Sequence, residues 1–241
     1  MRGDRVPLPP FDAVSLDVGG VLIIPDRRMV SRALARAGVL HDPDRFFDGH
    51  YRAMAEVDRQ RARPEEFGDY TRGFLRAVGT PDLQLEAGAV ALATVLGLSS
   101  VWRQRIPGAV AAARRLAAAG LRLAVTSNSD GTVAERMRHH GVMQVGDGPG
   151  VPVEHITDSG VLGVAKPHPA MFLATAEGLA LPPERICHVG DSGCYDADGA
   201  AAVGMVAVHV DPLTLCRGDH HHVESLADFA DRALAAGSDL G

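Results

Sequence analysis

The sequence predicts an α/β protein in which a parallel sheet is covered by helices on both faces. Three observations support this fold class. FDAVSLDV (11–18) is β-rich and apolar, as buried strands are. After Pro107, strand-like segments alternate with segments of helical periodicity, which is typical of parallel α/β sheets. Residues 27–98 between them show only helical periodicity, which predicts an inserted all-α module.

The elements after Pro107 follow in regular alternation. The predicted strands are 121–128, 185–192 and 205–210, with a short extended piece at EHITDS, and the predicted helices are 108–119, 131–140, 169–178, 197–203 and 223–236. The glycine-rich stretch VGDGPGVP (145–152) resembles a phosphate-binding loop only in its glycine count. It lacks the strand-to-helix context of such a loop, so we interpret it as a connection.

The inserted segment contains three helical patterns between residues 27 and 80 and a further apolar helix over 83–98. Aspartate and proline open these patterns, and glycine closes two of them. We therefore predict two domains: residues 1–25 and 100–241 form the α/β core, and residues 26–99 form a helical cap. Trp102, the only tryptophan, is expected to pack where the cap rejoins the core.

Composition excludes several classes of function. Apolar residues make up 46% and charged residues 22% of the 241 residues, which is ordinary for a globular protein with a core. The net charge of −6 disfavours binding to nucleic acid or to an anionic membrane. The N-terminal residues lack a signal-peptide pattern, and no apolar run could span a bilayer. Three cysteines argue against a disulfide framework, so we expect a reduced, cytoplasmic protein. We expect it to be a monomer or a homodimer.

Polar residues end three of the predicted strands: Asp17, the pair Ser127-Asn128, and Asp191. In parallel α/β sheets, ligands bind outside the carboxyl ends of the strands, so one cleft is expected to collect these side chains. Two residues of interest are each the only one of their type in the chain. Lys166 is the only lysine and Asn128 the only asparagine of the chain, which makes their positions informative.

Together these residues indicate phosphoryl transfer. Asp17 is a carboxylate that could attack an electrophile, and Ser127 and Asn128 at a helix start could seat an anion. Lys166 supplies a point charge suited to phosphate. Asp191 and Asp196 supply hard oxygen ligands for Mg²⁺. Phosphoryl transfer depends mainly on positioning and on charge neutralisation, which this set of groups provides.

The segments LDVGGVL, TSN, GVAKPHP and VGDSGCYDADGAAAVGM resemble, in order and spacing, the four motifs of the haloacid dehalogenase superfamily of hydrolases. The resemblance covers roughly residues 11 to 210 and includes the helical insertion of the subclass with an α-helical cap. It implies a Rossmann-like core and a Mg²⁺-dependent phosphatase that hydrolyses a small phosphorylated metabolite through an aspartyl-phosphate.

The resemblance also implies roles for individual residues. Asp17 would be the nucleophile, with Lys166 beside it as the second catalytic residue. The implied phosphate-binding residues are Ser127, Asn128, Lys166 and Gly20. The implied metal ligands are Asp17, the main-chain carbonyl of Gly19, Asp191 and Asp196, although Asp196 could instead be the partner of Lys166.

Gly19 departs from the family pattern, because family phosphatases carry there a carboxylate that serves as general acid and base. Such a group contributes about 10²–10⁴ in rate, and electrostatic stabilisation usually contributes more. We therefore expect a slower enzyme that either handles a good leaving group or borrows an acid. The candidate acids are Asp26, His50, Glu56 and Asp58.

Other interpretations of the same residues stay open. Asp17 could be a strand-end turn residue, Lys166 a solvated loop lysine, and Asp196 a helix N-cap. The functional alternatives are a 2-haloacid dehalogenase, a phosphomutase, or a binding or regulatory protein without turnover. We interpret His220-His221-His222 as a solvated turn, because no second cluster of metal ligands accompanies it in the sequence.

Overall fold

The computed structural model describes residues 7–61 and 68–238. Its strands are β1 (Ala13–Leu16), β2 (Ile23–Pro25), β3 (Trp102–Arg105), β4 (Arg122–Ser127), β5 (Met143–Val145), β6 (Val151–Val153), β7 (His155–Asp158), β8 (Ile186–Gly190), β9 (Val206–Val210) and β10 (His221–Val223). Its α-helices are α1 (Arg27–Arg36), α2 (Phe46–Gln60), α3 (Gly68–Ala77), α4 (Leu85–Leu96), α5 (Ala109–Ala118), α6 (Val133–His139), α7 (Ser159–Leu162), α8 (Pro169–Gly178), α9 (Asp198–Ala202) and α10 (Leu226–Ser238).

Six of the strands form a parallel sheet in the order β10-β9-β8-β1-β4-β7. The side chains of β1 alternate between two apolar clusters, as the two-residue period of a strand requires. Val14 and Leu16 belong to a cluster that includes residues of α5 and α10, whereas Ala13 belongs to one that includes residues of α8 and α9. The prediction of a parallel sheet covered on both faces is confirmed.

The register of the central strands places three predicted site residues at one edge. Leu16 of β1 pairs with Val125 of β4 and with Val189 of β8. Asp17, which follows Leu16, donates its N–H group to the carbonyl of Val189 at 2.9 Å. The carboxyl ends of β1, β4 and β8 therefore lie side by side.

Helices α1 to α4 lie between two short strands, β2 and β3, which pair antiparallel with each other. The sequence did not predict these two strands, because three or four residues carry no recognisable period. Asp26 caps α1 by accepting the N–H group of Met29 at 3.0 Å. The predicted boundary of the cap at residues 26–99 stays a prediction.

The structure corrects three details of the predicted secondary structure. The connection 145–152 contributes to a small parallel pair of strands, β5 and β6, rather than being only a loop. The predicted helix at 197–203 begins instead with a π-helical turn over Gly193–Ala197. Strand β10 extends the main sheet just before α10. None of the helices within residues 7–61 and 68–238 is long and apolar enough to cross a membrane.

Candidate active site

A cavity of about 300 Å³ lies at the carboxyl ends of β1, β4 and β8, between the sheet and the inserted helices. Its floor is polar, and its other wall, contributed largely by α2, α3, α4 and the start of β3, is mostly apolar. The floor residues include Asp17, Gly19, Ser127, Asn128, Lys166, Asp191 and Asp196, and the opposite wall includes His50, Met54, Val57, Tyr70, Leu96 and Trp102. Trp102 therefore packs where the inserted helices rejoin the core, as predicted.

Lys166 bridges two of the carboxylates. Its Nζ atom lies 2.7 Å from Oδ1 of Asp17 and 2.6 Å from Oδ1 of Asp196. All three side chains are buried, and that of Lys166 is 2% exposed. A solvated loop lysine would not be enclosed in this way, because burial of an ammonium group requires charge partners.

Burial and charge act together on these three groups. Burial of Asp17, opposed by Lys166 but reinforced by Asp196 and Asp191, raises its pKa to about 7. Burial disfavours the charge on Lys166, yet the two adjacent carboxylates hold the pKa of its ammonium above the usual range. Burial also disfavours the charge on Asp196, yet Lys166 and His188 hold the pKa of this carboxyl below its usual range. Lys166 and Asp196 are thus a stable ion pair, and Asp17 is the carboxyl group whose negative charge the site disfavours.

A buried polar network supports Asp196 from inside the core. His188 places Nε2 3.0 Å from Oδ1 of Asp196 and Nδ1 3.0 Å from the hydroxyl of Ser15. The chain of hydrogen bonds continues from Ser15 to Thr126 at 2.7 Å and from Thr126 to Thr175 at 2.6 Å. Burial lowers the pKa of His188, so the ring is neutral. Sequence reasoning missed His188, although a histidine inside an otherwise apolar strand was the available signal.

Asp191 contacts the inserted helices through His50 of α2. His50 Nε2 lies 2.9 Å from Oδ2 of Asp191, and His50 Nδ1 lies 2.7 Å from the hydroxyl of Tyr70. Since an ionised carboxylate only accepts, Nε2 donates to Asp191, and Nδ1 shares a hydrogen bond with the hydroxyl of Tyr70. Burial raises the pKa of Tyr70 above its usual range, which keeps this hydroxyl protonated.

Gly20 permits the close approach of Asp191. Its φ is +62°, and a Cβ at this position would lie 1.9 Å from Oδ2 of Asp191. The N–H group of Gly20 donates to the carbonyl of Ile23 at 2.9 Å, and its carbonyl accepts the hydroxyl of Tyr51 at 2.8 Å. The predicted phosphate-binding role of Gly20 is therefore corrected to a steric one, because its N–H group is already used.

Asn128 positions Lys166. Its side-chain Oδ1 accepts the N–H group of Lys166 at 2.7 Å, and its Nδ2 donates to the carbonyl of Lys166 at 3.1 Å. This pair of hydrogen bonds fixes the backbone of Lys166 at the carboxyl end of the sheet. The side-chain amide of Asn128 is therefore used to position Lys166, which differs from the phosphate contact predicted for Asn128. Ser127, the last residue of β4, lies on the cavity floor as expected.

The predicted anion seat at the start of α6 is occupied by carboxylates of the chain itself. Asp158 accepts the N–H groups of Gly131 at 3.0 Å and Val133 at 3.1 Å. Asp130 accepts the N–H group of Thr132 at 3.2 Å. The helix start is therefore satisfied internally, and binding of a phosphoryl group would depend on Ser127 and Lys166.

The donor set of the floor suits a divalent cation. Asp17, Asp191 and Asp196 each place a carboxylate oxygen within 4.8 Å of the others. One ammonium group accompanies these three carboxylates, which leaves excess negative charge and hard oxygen ligands of the kind that Mg²⁺ prefers. Asp17 and Asp191 fit this role better than Asp196, whose Oδ1 accepts from Lys166 and His188 and whose Oδ2 accepts from the Ser192 N–H group.

Gly19 lines the cavity beside Trp102. A Cβ at Gly19 would lie 3.5 Å from Cζ3 of Trp102 and 4.0 Å from Oδ2 of Asp17, which are ordinary contacts. The position could therefore hold a side chain. The fold does not force a glycine here, so the absence of a carboxylate is a property of this sequence.

Among the four candidate acids, only His50 lines the cavity. Asp26 binds Met29 and Arg103, and Glu56 binds Arg59 and Gln60. Both ring nitrogens of His50 are engaged, so its contacts favour a positioning role for Asp191.

Asp58 of α2 binds the loop that follows Asp191. Its carboxylate accepts the hydroxyl of Ser192 at 2.5 Å and the N–H groups of Gly193 at 2.7 Å and Cys194 at 3.1 Å. These three hydrogen bonds hold the helical insertion against the core next to the site.

Arg136 of α6 is a second cation at the cavity wall. Its side chain is 12% exposed, and its two terminal nitrogens donate to the carbonyl of Ser99 at 3.3 Å and the hydroxyl of Ser129 at 3.0 Å. One of them, Nη1, also lies 3.8 Å from Oδ1 of the exposed Asp130. Its buried Nε has no hydrogen-bond partner among the described residues. Sequence reasoning did not single out this arginine, because 23 arginines offer no compositional signal.

A model of the haloacid dehalogenase-like hydrolase family matches residues 11–204. Over 190 residues, 76% of this chain and 74% of the relative, the sequence is 28% identical to a glyceraldehyde 3-phosphate phosphatase of Methanopyrus kandleri. It is also 32% identical over 109 residues, 45% of this chain, to the haloacid dehalogenase-like hydrolase domain-containing protein 3 of Xenopus laevis, of which this match spans 42%.

Solved structures share the fold at low sequence identity. A putative hydrolase of the same superfamily from Bacillus subtilis, bound to magnesium, has a TM-score of 0.62 at 16% identity, with 93% of this chain and 99% of that chain covered. A 2-haloacid dehalogenase of Pseudomonas syringae has a TM-score of 0.54 at 18% identity, with 94% and 99% covered.

Proposed function

Because the chain belongs to the haloacid dehalogenase-like hydrolase family, we propose that this hydrolase is a Mg²⁺-dependent phosphatase acting on a small phosphorylated metabolite. The observation that carries the proposal is the bridge from Asp17 through Lys166 to Asp196, next to Asp191, on the floor of one cavity. The candidate nucleophile lies at hydrogen-bonding distance from Lys166, and the candidate metal ligands lie within 4.8 Å of one another.

The reaction would proceed in two displacements at phosphorus. A carboxylate oxygen of Asp17 attacks the phosphoryl group, the bond from phosphorus to the leaving oxygen breaks, and that oxygen takes the electron pair. Water then attacks the aspartyl-phosphate, which releases inorganic phosphate and restores the carboxylate. Lys166 and Ser127 hold the phosphoryl oxygens during both steps.

Asp17 and Asp191, with the main-chain carbonyl of Gly19, would hold Mg²⁺. When bound, the ion would neutralise charge on the phosphoryl oxygens. His50 would orient Asp191 through the 2.9 Å hydrogen bond, and Asp58 would hold the following loop. The apolar wall around Trp102 would exclude water from the first displacement.

Proton transfer to the leaving group has no dedicated carboxylate at Gly19. We therefore propose that substrates with a good leaving group are turned over fastest, since such an oxygen departs without being protonated. A second anionic group on the substrate would fit Arg136, which lines the cavity and whose pairing with the exposed Asp130, at 3.8 Å, is loose. The substrate class that we propose is thus a small phosphate ester with an additional carboxylate or phosphate.

Two alternatives have specific arguments. A 2-haloacid dehalogenase would use Asp17 on carbon and would need no metal; the fold is shared, but the acidic cluster of Asp17, Asp191 and Asp196 favours a metal-dependent reaction. A binding protein without turnover would explain Gly19, but it would leave the buried pair Asp17 and Lys166 without a use. A cytoplasmic location and a monomer or homodimer stay predictions.

Phosphate release from p-nitrophenyl phosphate, with Mg²⁺ and with EDTA, tests the proposal. We expect Mg²⁺-dependent turnover in the wild type, none in Asp17→Asn, and Mg²⁺-dependent trapping of beryllium fluoride by the wild type only. Turnover of a 2-haloacid in EDTA would instead support the dehalogenase. If neither class of substrate reacts and beryllium fluoride does not bind, the protein is a non-catalytic member of the family.

A further inference from the structure

A second group of metal-ligating side chains lies apart from the residues that line the cavity. His209, Cys216, His220 and His222 each offer one ligand atom, and these atoms all lie within 4.8 Å of one another. Nδ1 of His209 is 3.2 Å from Nε2 of His220, and Sγ of Cys216 is 3.6 Å from the same Nε2. The solvated turn expected from the sequence is therefore corrected, because folding brings His209 and Cys216 to the histidine triplet.

The sheet and one loop build this group. His222 of β10 lies opposite His209 of β9 in the register of the parallel pair. The loop between these strands is folded back by Asp211, which accepts the N–H groups of Leu215 at 3.0 Å and Cys216 at 2.8 Å. These contacts turn the thiol toward the imidazole rings.

The surrounding hydrogen bonds suit metal ligands. Nε2 of His209 lies 3.1 Å from the carbonyl oxygen of Asp191 and donates to it, which leaves the Nδ1 lone pair directed at the group. Nε2 of His222 donates to the carbonyl of Gly218 at 3.2 Å, and its Nδ1 lies 3.8 Å from Oδ2 of Asp211. Metal-bound histidines usually donate their other ring N–H group to such a carbonyl or carboxylate. The sulfur of Cys216 accepts the N–H group of Gly218 at 3.3 Å, which fixes the position of the sulfur beside the imidazole rings.

We propose that these four side chains bind one Zn²⁺ ion, in a site separate from the carboxylates of the active site. Three imidazole nitrogens and one thiolate are four ligands of the types that Zn²⁺ takes, and together they would complete a tetrahedral site. Mg²⁺ prefers oxygen ligands, so the two sites differ in the metal that they select. On binding, the thiol proton of Cys216 passes to solvent and a zinc–sulfur bond forms, without any change of oxidation state.

The zinc site would fasten the 211–220 loop to the sheet next to the active site. Through His209 it would also fix the hydrogen bond to the backbone of Asp191, whose side chain is the candidate Mg²⁺ ligand. The proposal does not depend on the reaction that the active site catalyses, because none of the four ligands lines the cavity.

Metal content and cobalt spectroscopy on the full chain test the site. After removal of metal and titration with Zn²⁺ or Co²⁺, we expect one tightly held Zn²⁺ per chain. The Co²⁺ form should show a thiolate-to-cobalt charge-transfer band and the strong visible bands of a four-coordinate ion. Cys216→Ser and His220→Ala should each weaken Zn²⁺ binding more than tenfold, and Cys216→Ser should abolish the charge-transfer band.

Two control variants locate the site. His221→Ala removes the neighbouring histidine, which alternates to the other face of β10, and should leave Zn²⁺ binding unchanged. Asp17→Asn disables the carboxylate cluster and should also retain the zinc. Loss of zinc in Asp17→Asn, or equal loss in His221→Ala and His220→Ala, would overturn the assignment.

Alkylation of the wild type keeps the test decisive if a ligand variant fails to fold. Zn²⁺ should protect Cys216 from iodoacetamide, as read by mass spectrometry, while the reactivity of Cys194 stays the same. A wild type that binds no Zn²⁺, or binds it without protecting Cys216, would show that His220 simply donates a hydrogen bond to His209.

Discussion

Nε2 of His50 lies 2.9 Å from Oδ2 of Asp191, and this hydrogen bond joins helix α2 to the residue that follows strand β8. A residue of the inserted helices thus orients a candidate metal ligand of the core. His50 is 1% exposed, so the contact is sheltered from competition by water. The helical insertion therefore has a part in assembling the site as well as in enclosing it.

Replacement of His50 is expected to weaken the binding of Mg²⁺. His50→Ala removes the donor that orients Asp191, and loss of such an outer hydrogen bond typically costs about 10–100-fold in metal affinity. The Mg²⁺ concentration that gives half-maximal phosphatase activity measures this effect. His41→Ala is the matched control, because His41 binds Ser31 in the same helical segment away from the cavity. Equal Mg²⁺ dependence in the two variants would contradict the positioning role.

Asp17→Asn is expected to abolish turnover and to stabilise the metal-free chain. Burial raises the pKa of Asp17 from 3.8 to about 7 in the folded state. Between these values the folded chain binds more protons than the unfolded chain, so this group lowers stability as pH rises. The gain in the free energy of unfolding from Asp17→Asn should therefore be small at pH 4, close to the lower of these two values, and larger at pH 8, about one unit above the upper value.

Urea unfolding in EDTA at both pH values measures this difference. Asp12→Asn is the control, because Arg185 holds the pKa of the exposed Asp12 below its usual range and its pH effect has the opposite sign. A gain for Asp17→Asn that does not change with pH would argue against the buried carboxylate as its source.

Gly19→Asp is expected to restore an acid for poor leaving groups. The position has room for a Cβ, with Trp102 at 3.5 Å, and a general acid typically contributes about 10² or more in rate. Turnover of alkyl phosphates should rise more than turnover of p-nitrophenyl phosphate, which needs no acid for its leaving group and would gain only from base catalysis of the second displacement. Gly19→Asn has the same size without the acid and should leave alkyl phosphates slow. A similar gain in both variants would mean that side-chain volume, and not proton transfer, limits the reaction.

Arg136→Gln is expected to impair selectively the substrates that carry a second anion. A hydrogen bond to a charged group contributes about 1.5–3 kcal/mol, so KM for such a phosphate ester should rise about tenfold or more. KM for p-nitrophenyl phosphate should stay nearly constant. Arg138→Gln, on the same helix but bound to the carbonyl of Asp147, is the control. Equal effects on both substrates would remove Arg136 from substrate recognition.

The α/β fold and the main site residues could be predicted from the sequence because both depend on local patterns. The apolar strands each end in polar residues, and parallel strands present those ends at one edge. Asp17, Ser127, Lys166 and Asp191 therefore meet in one cavity, as expected. Short strands such as β2, β3 and β10 escaped prediction, since three or four residues do not establish a period.

Contacts between distant segments were beyond sequence reasoning. His50 and Asp191 are 141 positions apart, and nothing near either residue indicates the other. Asn128 is unusual in the composition, but only the structure shows that its side-chain amide binds the backbone of Lys166. The N–H groups at the start of α6 are likewise satisfied by Asp158 from a neighbouring strand.

The sequence by itself determined the family, the fold class and the candidate site residues Asp17, Lys166 and Asp191, because residue types and their spacing along strands are local properties. Tertiary structure decided which of these groups pair with one another, why Gly20 has no side chain, and which histidines and cysteine meet beside β9. Such relationships depend on the packing of segments far apart in the chain, where distances of 2.6–3.2 Å are set by the whole fold.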